Sequence, residues 1–274
     1  VTAPTTFASA LGPFLERYLA LKRALGRAYD GECRVLAHLD RFLAATRADL
    51  TAETFAQWGV AIAQLTPTVR RRWMSVARGV CLYRQRSEPA TFVPDADTFP
   101  RPHPPRRPYL FSEADITRLL RAADQLRVAS TSPLRRETFR LALVLLWTAG
   151  LRRREVVRLT VGDYDPVERT LAIHATKFHK SRLVPLSADA AREMATYLVA
   201  RRRLPHAPHL PLLCNGHGGR RPYTGAGLAQ GLRQLFERAE VRTSEGRLPR
   251  VHDLRHSFAH AALRRWCWQG SVSA

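Results

Sequence analysis

Near the end of the chain, the stretch HDLRHSFAH, His252 to His260, gathers groups that can hold an anion. On a helix, His252, Arg255 and His256 are spaced i, i+3 and i, i+4, so their side chains lean over one face while Leu254, Phe258 and Ala261 can turn elsewhere. Such a face aims several cationic donors at one place. A solvated, arginine-rich surface produces the same pattern, and the stretch alone does not separate the two readings. A second candidate is KFHK, Lys177 to Lys180. The chain holds 41 arginines but only three lysines, Lys22, Lys177 and Lys180, so two amines in one four-residue stretch suggest a place that wants an amine. Hairpin tips, however, also collect exposed lysines. The pair Cys214 and His217 in CNGH offers two metal donors without a second pair, a weak zinc signal.

The composition says which anion to expect. With 44 Lys+Arg against 23 Asp+Glu, the formal charge is +21, which in a folding chain points first to nucleic acid and second to an anionic membrane surface. A hydrophobic content of 45% is enough to bury a real core, so the charge does not mark a disordered basic tail. No apolar run is long enough to span a bilayer, and the first residues lack the layout of a signal peptide, so a cytoplasmic protein with no membrane partner is expected. Cys33, Cys81, Cys214 and Cys267 form no C-x-x-C pair and read as reduced thiols, with no metal site.

These groups need elements to position them. Four stretches before Ser87 carry apolar residues at helical spacing, with Thr51 and Thr66 as N-caps and Pro67 at a first helical position. Residues 1–88 therefore read as a small all-helical domain. Its last helix sets Arg70, Arg71, Arg72 and Arg78 around Trp73, Val76 and Val80, which would suit one face on a core and another on DNA phosphates. A merely solvated face fits equally well. Seven prolines between Ser87 and Pro108 forbid a regular helix and predict an extended linker over 89–109. A second domain, 110–274, starts with a Ser112-capped helix and the apolar PLRRETFRLALVLLWTAG. RTLAIHAT and RLVPLS then predict a β-hairpin with KFHK at its tip, and helical text follows.

Taken in order, TAGLRRREVVRL, ATKFHKSRLVPLS and HDLRHSFAH resemble the catalytic domain of the tyrosine recombinase, or phage integrase, family, over about residues 110 to 266. The N-terminal helices resemble that family's core-binding (SAM-like) DNA-binding domain more loosely. The resemblance implies a mainly α fold with a small β-hairpin sheet, two domains embracing double-stranded DNA, and site-specific strand cleavage and rejoining through a phosphotyrosine. It implies no cofactor, and homo-oligomers on DNA for intact relatives. Carried over, Arg152 and Arg255 match the two catalytic arginines, Lys177 the hairpin lysine and His252 the histidine. Lys180 falls at a commonly basic position that touches DNA backbone, and Glu155 and His256 at structural positions near the site.

The chemistry suits those types. Two guanidiniums can neutralise the non-bridging oxygens of a phosphodiester as charge builds there. An ammonium can protonate the leaving oxygen, and an imidazole can move a proton near neutral pH. Two departures stand out. Arg154 occupies a place that usually holds a small residue, and no tyrosine follows Tyr223 where the family carries its nucleophile. The expectation is a C-terminally truncated member, inactive alone and aggregation-prone at Trp266 and Trp268. Two other readings stay open: a non-catalytic DNA-binding protein, and an enzyme like a type IB topoisomerase, which uses a similar cationic set.

Overall fold

Residues 7–128, 132–174 and 181–270 are described by the computed structural model. The side chains of His217 and of residues 268–270 stand outside that set, as do Lys177, His179 and Lys180. The chain divides into two compact units, 1–106 and 107–274.

Unit 1 is built from α1 (Gly12–Ala24), α2 (Asp30–Thr46), α3 (Ala52–Ala61) and α4 (Pro67–Arg84). The Thr51 hydroxyl accepts the Thr54 amide and starts α3, and Pro67 opens α4, where a missing N–H costs nothing. Leu15, Leu36, Leu39, Trp58, Ile62, Ala77 and Val80 fill the core between the four helices.

The proline-rich segment expected to be a linker is not a free spacer. Apart from a single 3-10 turn, Ala96–Thr98, it stays irregular, as its prolines require, yet as far as Arg106 it belongs to unit 1. Phe99 is buried in the unit 1 core, Arg78 Nε donates to the Pro94 carbonyl (2.9 Å), and Arg71 Nη1 donates to that of Phe99 (3.2 Å). Aromatic groups in an otherwise polar connection had a core to join, and α4 supplied the donors that extended backbone lacks.

Unit 2 is mainly helical around a small sheet. In chain order it runs α5 (Glu113–Asp124), α6 (Arg135–Thr148), the one-turn α7 (Arg153–Val156), β1 (Tyr164–Asp165), β2 (Thr170–Ile173), β3 (Arg182–Pro185), α8 (Ala188–Arg201), α9 (Gly225–Arg238) and α10 (Val251–Gly270). Helix α6 is the central pillar: Phe139 and the run Leu141 to Leu146 are all buried against α5, α8, α9 and α10. The sheet is antiparallel in the order β1-β2-β3, with Leu171 opposite Val184 and Ile173 opposite Arg182. The predicted hairpin is thus present with one more short strand, β1, whose two residues are too few to give a periodic signal.

Candidate active site

The first cationic group leaves a turn that only glycine permits. Gly150 follows α6 with φ +59°, and a Cβ there would lie 2.2 Å from the ring of Phe258 on α10. The turn therefore reaches α10 closely, Leu151 anchors it in the core, and Arg152 stands at the start of α7. Glu155, one turn on, reaches back: one oxygen accepts the Arg152 amide (2.8 Å) and the other accepts Arg152 Nη1 (2.9 Å). Arg154 is exposed, so the large residue at this place meets no packing constraint.

From the sheet, Arg182 closes a fork on the same carboxylate, Nη1 at 3.1 Å and Nη2 at 2.9 Å. Burial pushes the Glu155 carboxyl up, but the hydrogen bonds from Arg182 and from the amide and side chain of Arg152, together with the Arg182 charge, outweigh it and hold the group at about 2. Glu155 is ionised at any ordinary pH and acts as the hub of the site.

The second group comes from α10. Asp253, buried at the helix start, accepts the Arg250 amide (2.9 Å) and the Arg250 guanidinium (2.8 Å). Ser257 donates to the Asp253 carbonyl (2.9 Å) and accepts the Phe111 amide (2.9 Å), which pins α10 to the chain entering α5. So fixed, the helix delivers Arg255, whose Nη1 donates to the Gly150 carbonyl across 105 residues of sequence. Burial, and next the nearby positive charge of Arg152, push the Arg255 pKa down, with Glu155 opposing and Arg182 adding to the effect. A guanidinium stays protonated regardless. Three guanidiniums thus lie near one carboxylate, and among the described residues their charge and N–H donors exceed what Glu155 takes up, an arrangement that can receive an anion.

His252 stands at the exposed edge of the cluster, its ring edge-on to His256 at 4.7 Å. Burial, then the nearby His256 and Arg255, lower its pKa, so the imidazole is neutral near pH 7 and able to accept a proton. His256, given a structural position by the resemblance, is half-buried beside it. Arg152, Glu155, His252 and Arg255 are therefore drawn together, while Lys177 and Lys180 lie outside the described residues.

The arginines of α4 are more occupied than their pattern suggested. Arg71 and Arg78 bind the segment before Phe99, and Arg72, 64% exposed, pairs with Glu32 at 2.7 Å. Arg70 is half-buried. Among the described residues, no group of His, Cys, Asp and Glu is placed to hold a metal ion, and no helix is long and apolar enough to cross a membrane.

Sequence reasoning missed Arg182, Arg250, Asp253 and Ser257. For Arg182 a signal was available: it shares its strand face with Val184, which packs on the core, and a cation on an inward face calls for a buried anion.

Comparison with known proteins shows the family and the fold. The model of the phage integrase family matches residues 110–266. The chain is 31% identical over 256 residues to y4rB of Sinorhizobium fredii, named as an integrase/recombinase, covering 92% of this chain and 81% of that protein. It is 31% identical to tyrosine recombinase XerD of Brucella suis over 227 residues, covering 78% of this chain and 68% of the other. Among solved structures, the Tn1549 transposon integrase in complex with transposon right end DNA superposes with a TM-score of 0.65 at 15% identity, over 92% of this chain and 87% of that one.

Proposed function

Because the chain belongs to the phage integrase family of tyrosine recombinases, whose chemistry is site-specific DNA recombination, we propose that the cluster on α7 and α10 seats the scissile phosphate of a DNA duplex. The observation that carries this reading is the convergence of Arg152, bonded to Glu155, and Arg255, bonded to the Gly150 carbonyl, near one carboxylate that neutralises only part of their charge. In the strand-cleavage step, Arg152 and Arg255 donate to the two non-bridging oxygens, where negative charge grows as the phosphorus gains its fifth oxygen. Lys177 protonates the leaving 5′-oxygen. His252, neutral at pH 7, accepts the proton of the attacking hydroxyl. Unit 1 serves as the core-binding domain, with Arg72, whose side chain is mostly in water, against DNA backbone and Lys180 assisting from unit 2.

The attacking hydroxyl is not among the groups of this cluster. No tyrosine occurs in residues 224–274, and two of those before it in unit 2 have their hydroxyls committed: Tyr109 donates to Asp115 (2.9 Å) and buried Tyr197 to the Leu212 carbonyl (2.6 Å). Residues 1–274 acting alone therefore bind DNA and do not cut it. For that reason the second reading, a DNA-binding protein without cleavage, describes the 274-residue chain by itself.

The test is a fluorescence titration of a short labelled duplex at several salt concentrations. Binding should weaken steeply with salt, and the double variant R152A/R255A should reduce the log–log slope by about 1, since the two arginines seat one phosphate and each neutralised phosphate contributes about 0.9. A slope near zero would remove nucleic acid as the partner, and an unchanged slope in the double variant would remove this cluster from phosphate binding. A covalent adduct on any of the seven tyrosines, seen on a denaturing gel, would overturn the expectation that the chain alone does not cut.

A further inference from the structure

We infer that Arg182 is a positioning residue for the phosphate site: it acts through Glu155 to hold the Arg152 guanidinium in place and so ties the first residue of β3 to the turn that carries Arg152. The inference rests on the reading of the cluster as a phosphate seat. Glu155 has two oxygens, and each is shared in the same way: Oε1 accepts one N–H from Arg182 and one from the Arg152 side chain, Oε2 one from Arg182 and one from the Arg152 amide. The Arg182 fork therefore sets the plane and rotation of the carboxylate, and the carboxylate sets both the start of α7 and the direction of the Arg152 side chain.

The anchor on the other side of the fork is firm. Arg182 pairs with Ile173 in the ladder, and Ile173 is buried in the unit 2 core. By contrast, the Arg152 side chain is 46% exposed, and Glu155 is the one partner it has among the described residues. Without the fork, Glu155 could turn and Arg152 would sample many rotamers before meeting a phosphate. Arg182 itself directs both Nη groups at Glu155, so its contribution to an anion passes through the carboxylate.

A lysine at this position keeps the charge and removes the fork, which separates positioning from simple electrostatic attraction. The molecule contains its own control. Arg140 forks Glu193 on α8 with Nε at 2.8 Å and Nη2 at 2.6 Å, an equally good pair that has no connection to Arg152.

The experiment is a double-variant cycle read by arginine Nε–Hε NMR during titration with inorganic phosphate, with the Arg152 signal assigned by its loss in R152A. In R182K, the Arg152 signal should move before any phosphate is added, and phosphate affinity should fall roughly fivefold to tenfold, the scale of one charge-assisted hydrogen bond. In the R152A background, R182K should cause no further loss. R140K should lower the melting temperature at least as much, but leave both the Arg152 signal and phosphate affinity unchanged. If R182K proves unable to fold, R182Q carries the same cycle.

The outcomes separate the two levels of the argument. An equal loss from R182K with and without Arg152, or an unmoved Arg152 signal, overturns the positioning role and leaves the phosphate seat standing. Phosphate binding unaffected by R152A overturns the seat itself.

Discussion

Two corners of unit 2 each hold an arginine against backbone carbonyls, and they put it to opposite uses. At the end of α8, Arg201 is completely buried. Its Nη1 donates to Pro205 (2.5 Å) and its Nη2 to Pro211 (3.1 Å) and Gly219 (2.7 Å), so it staples the long irregular stretch between α8 and α9. Where α6 meets α10, Arg255 donates to a single carbonyl among the described residues, that of Gly150, and remains half-buried beside two other guanidiniums. A guanidinium has five donors. When the fold occupies most of them and excludes water, the residue is structural; when donors and charge are left over at a surface, the residue can receive a ligand. In this chain, arginine as a residue type says nothing about function, and its unfilled hydrogen-bonding capacity says a great deal.

The sharpest way to break the contrast is to remove the staple. Arg201→Met should destabilise unit 2 by about 3 kcal/mol or more, because three carbonyls in a sealed corner lose their donor. Urea unfolding measures the loss, while phosphate affinity per folded molecule should stay unchanged. A loss below about 1 kcal/mol would mean that the corner hydrates easily and that the comparison is wrong.

Acid should act next most strongly, and at the other corner. The folded-state pKa of Glu155, about 2, lies below its ordinary value of 4.5, so its contribution to stability is complete above pH 4.5 and is lost as the pH falls toward 2. The linkage amounts to about 2–3 kcal/mol, discounted toward the lower figure because both arginine partners are partly in water. Glu155→Gln should flatten the stability profile across that window, as followed by chemical unfolding at each pH. A variant with the same acid slope as the original would show that the hub is not what holds this corner.

The smallest effect is expected on the solvent side of α4. Arg72→Ala should change stability by no more than about 0.5 kcal/mol, since its pair with Glu32 is mostly in water. Arg71→Ala and Arg78→Ala should cost more, because each leaves a carbonyl of the packed segment before Phe99 without its donor. Equal melting temperatures for the three would erase the distinction between occupied and surplus arginines within one helix.

Much of the fold was legible because it is local. Thr51 and Ser112 announce their helices through hydroxyls that accept an amide three residues on, and the β-branched runs around KFHK announce the hairpin. Strand β1 was not legible, since two residues have no period. The packing of 89–106 onto unit 1 was not legible either: prolines forbid a helix there, but whether Phe99 meets water or a core depends on helices far away in the chain.

The candidate site divides along the same line. The sequence by itself determined which cationic and acidic residues are present, their order, and that His252, Arg255 and His256 share a helix face, because helical geometry follows from spacing alone. Only the tertiary structure decided that Arg255 would reach the carbonyl of Gly150, 105 residues earlier, that Arg182 would join Arg152 on one carboxylate, and that Arg201 would be sealed away. The physical reason is that a hydrogen bond has a range of about 3 Å, so which of an arginine's donors are left for a ligand depends on the neighbours that folding brings, and the chain order does not specify them.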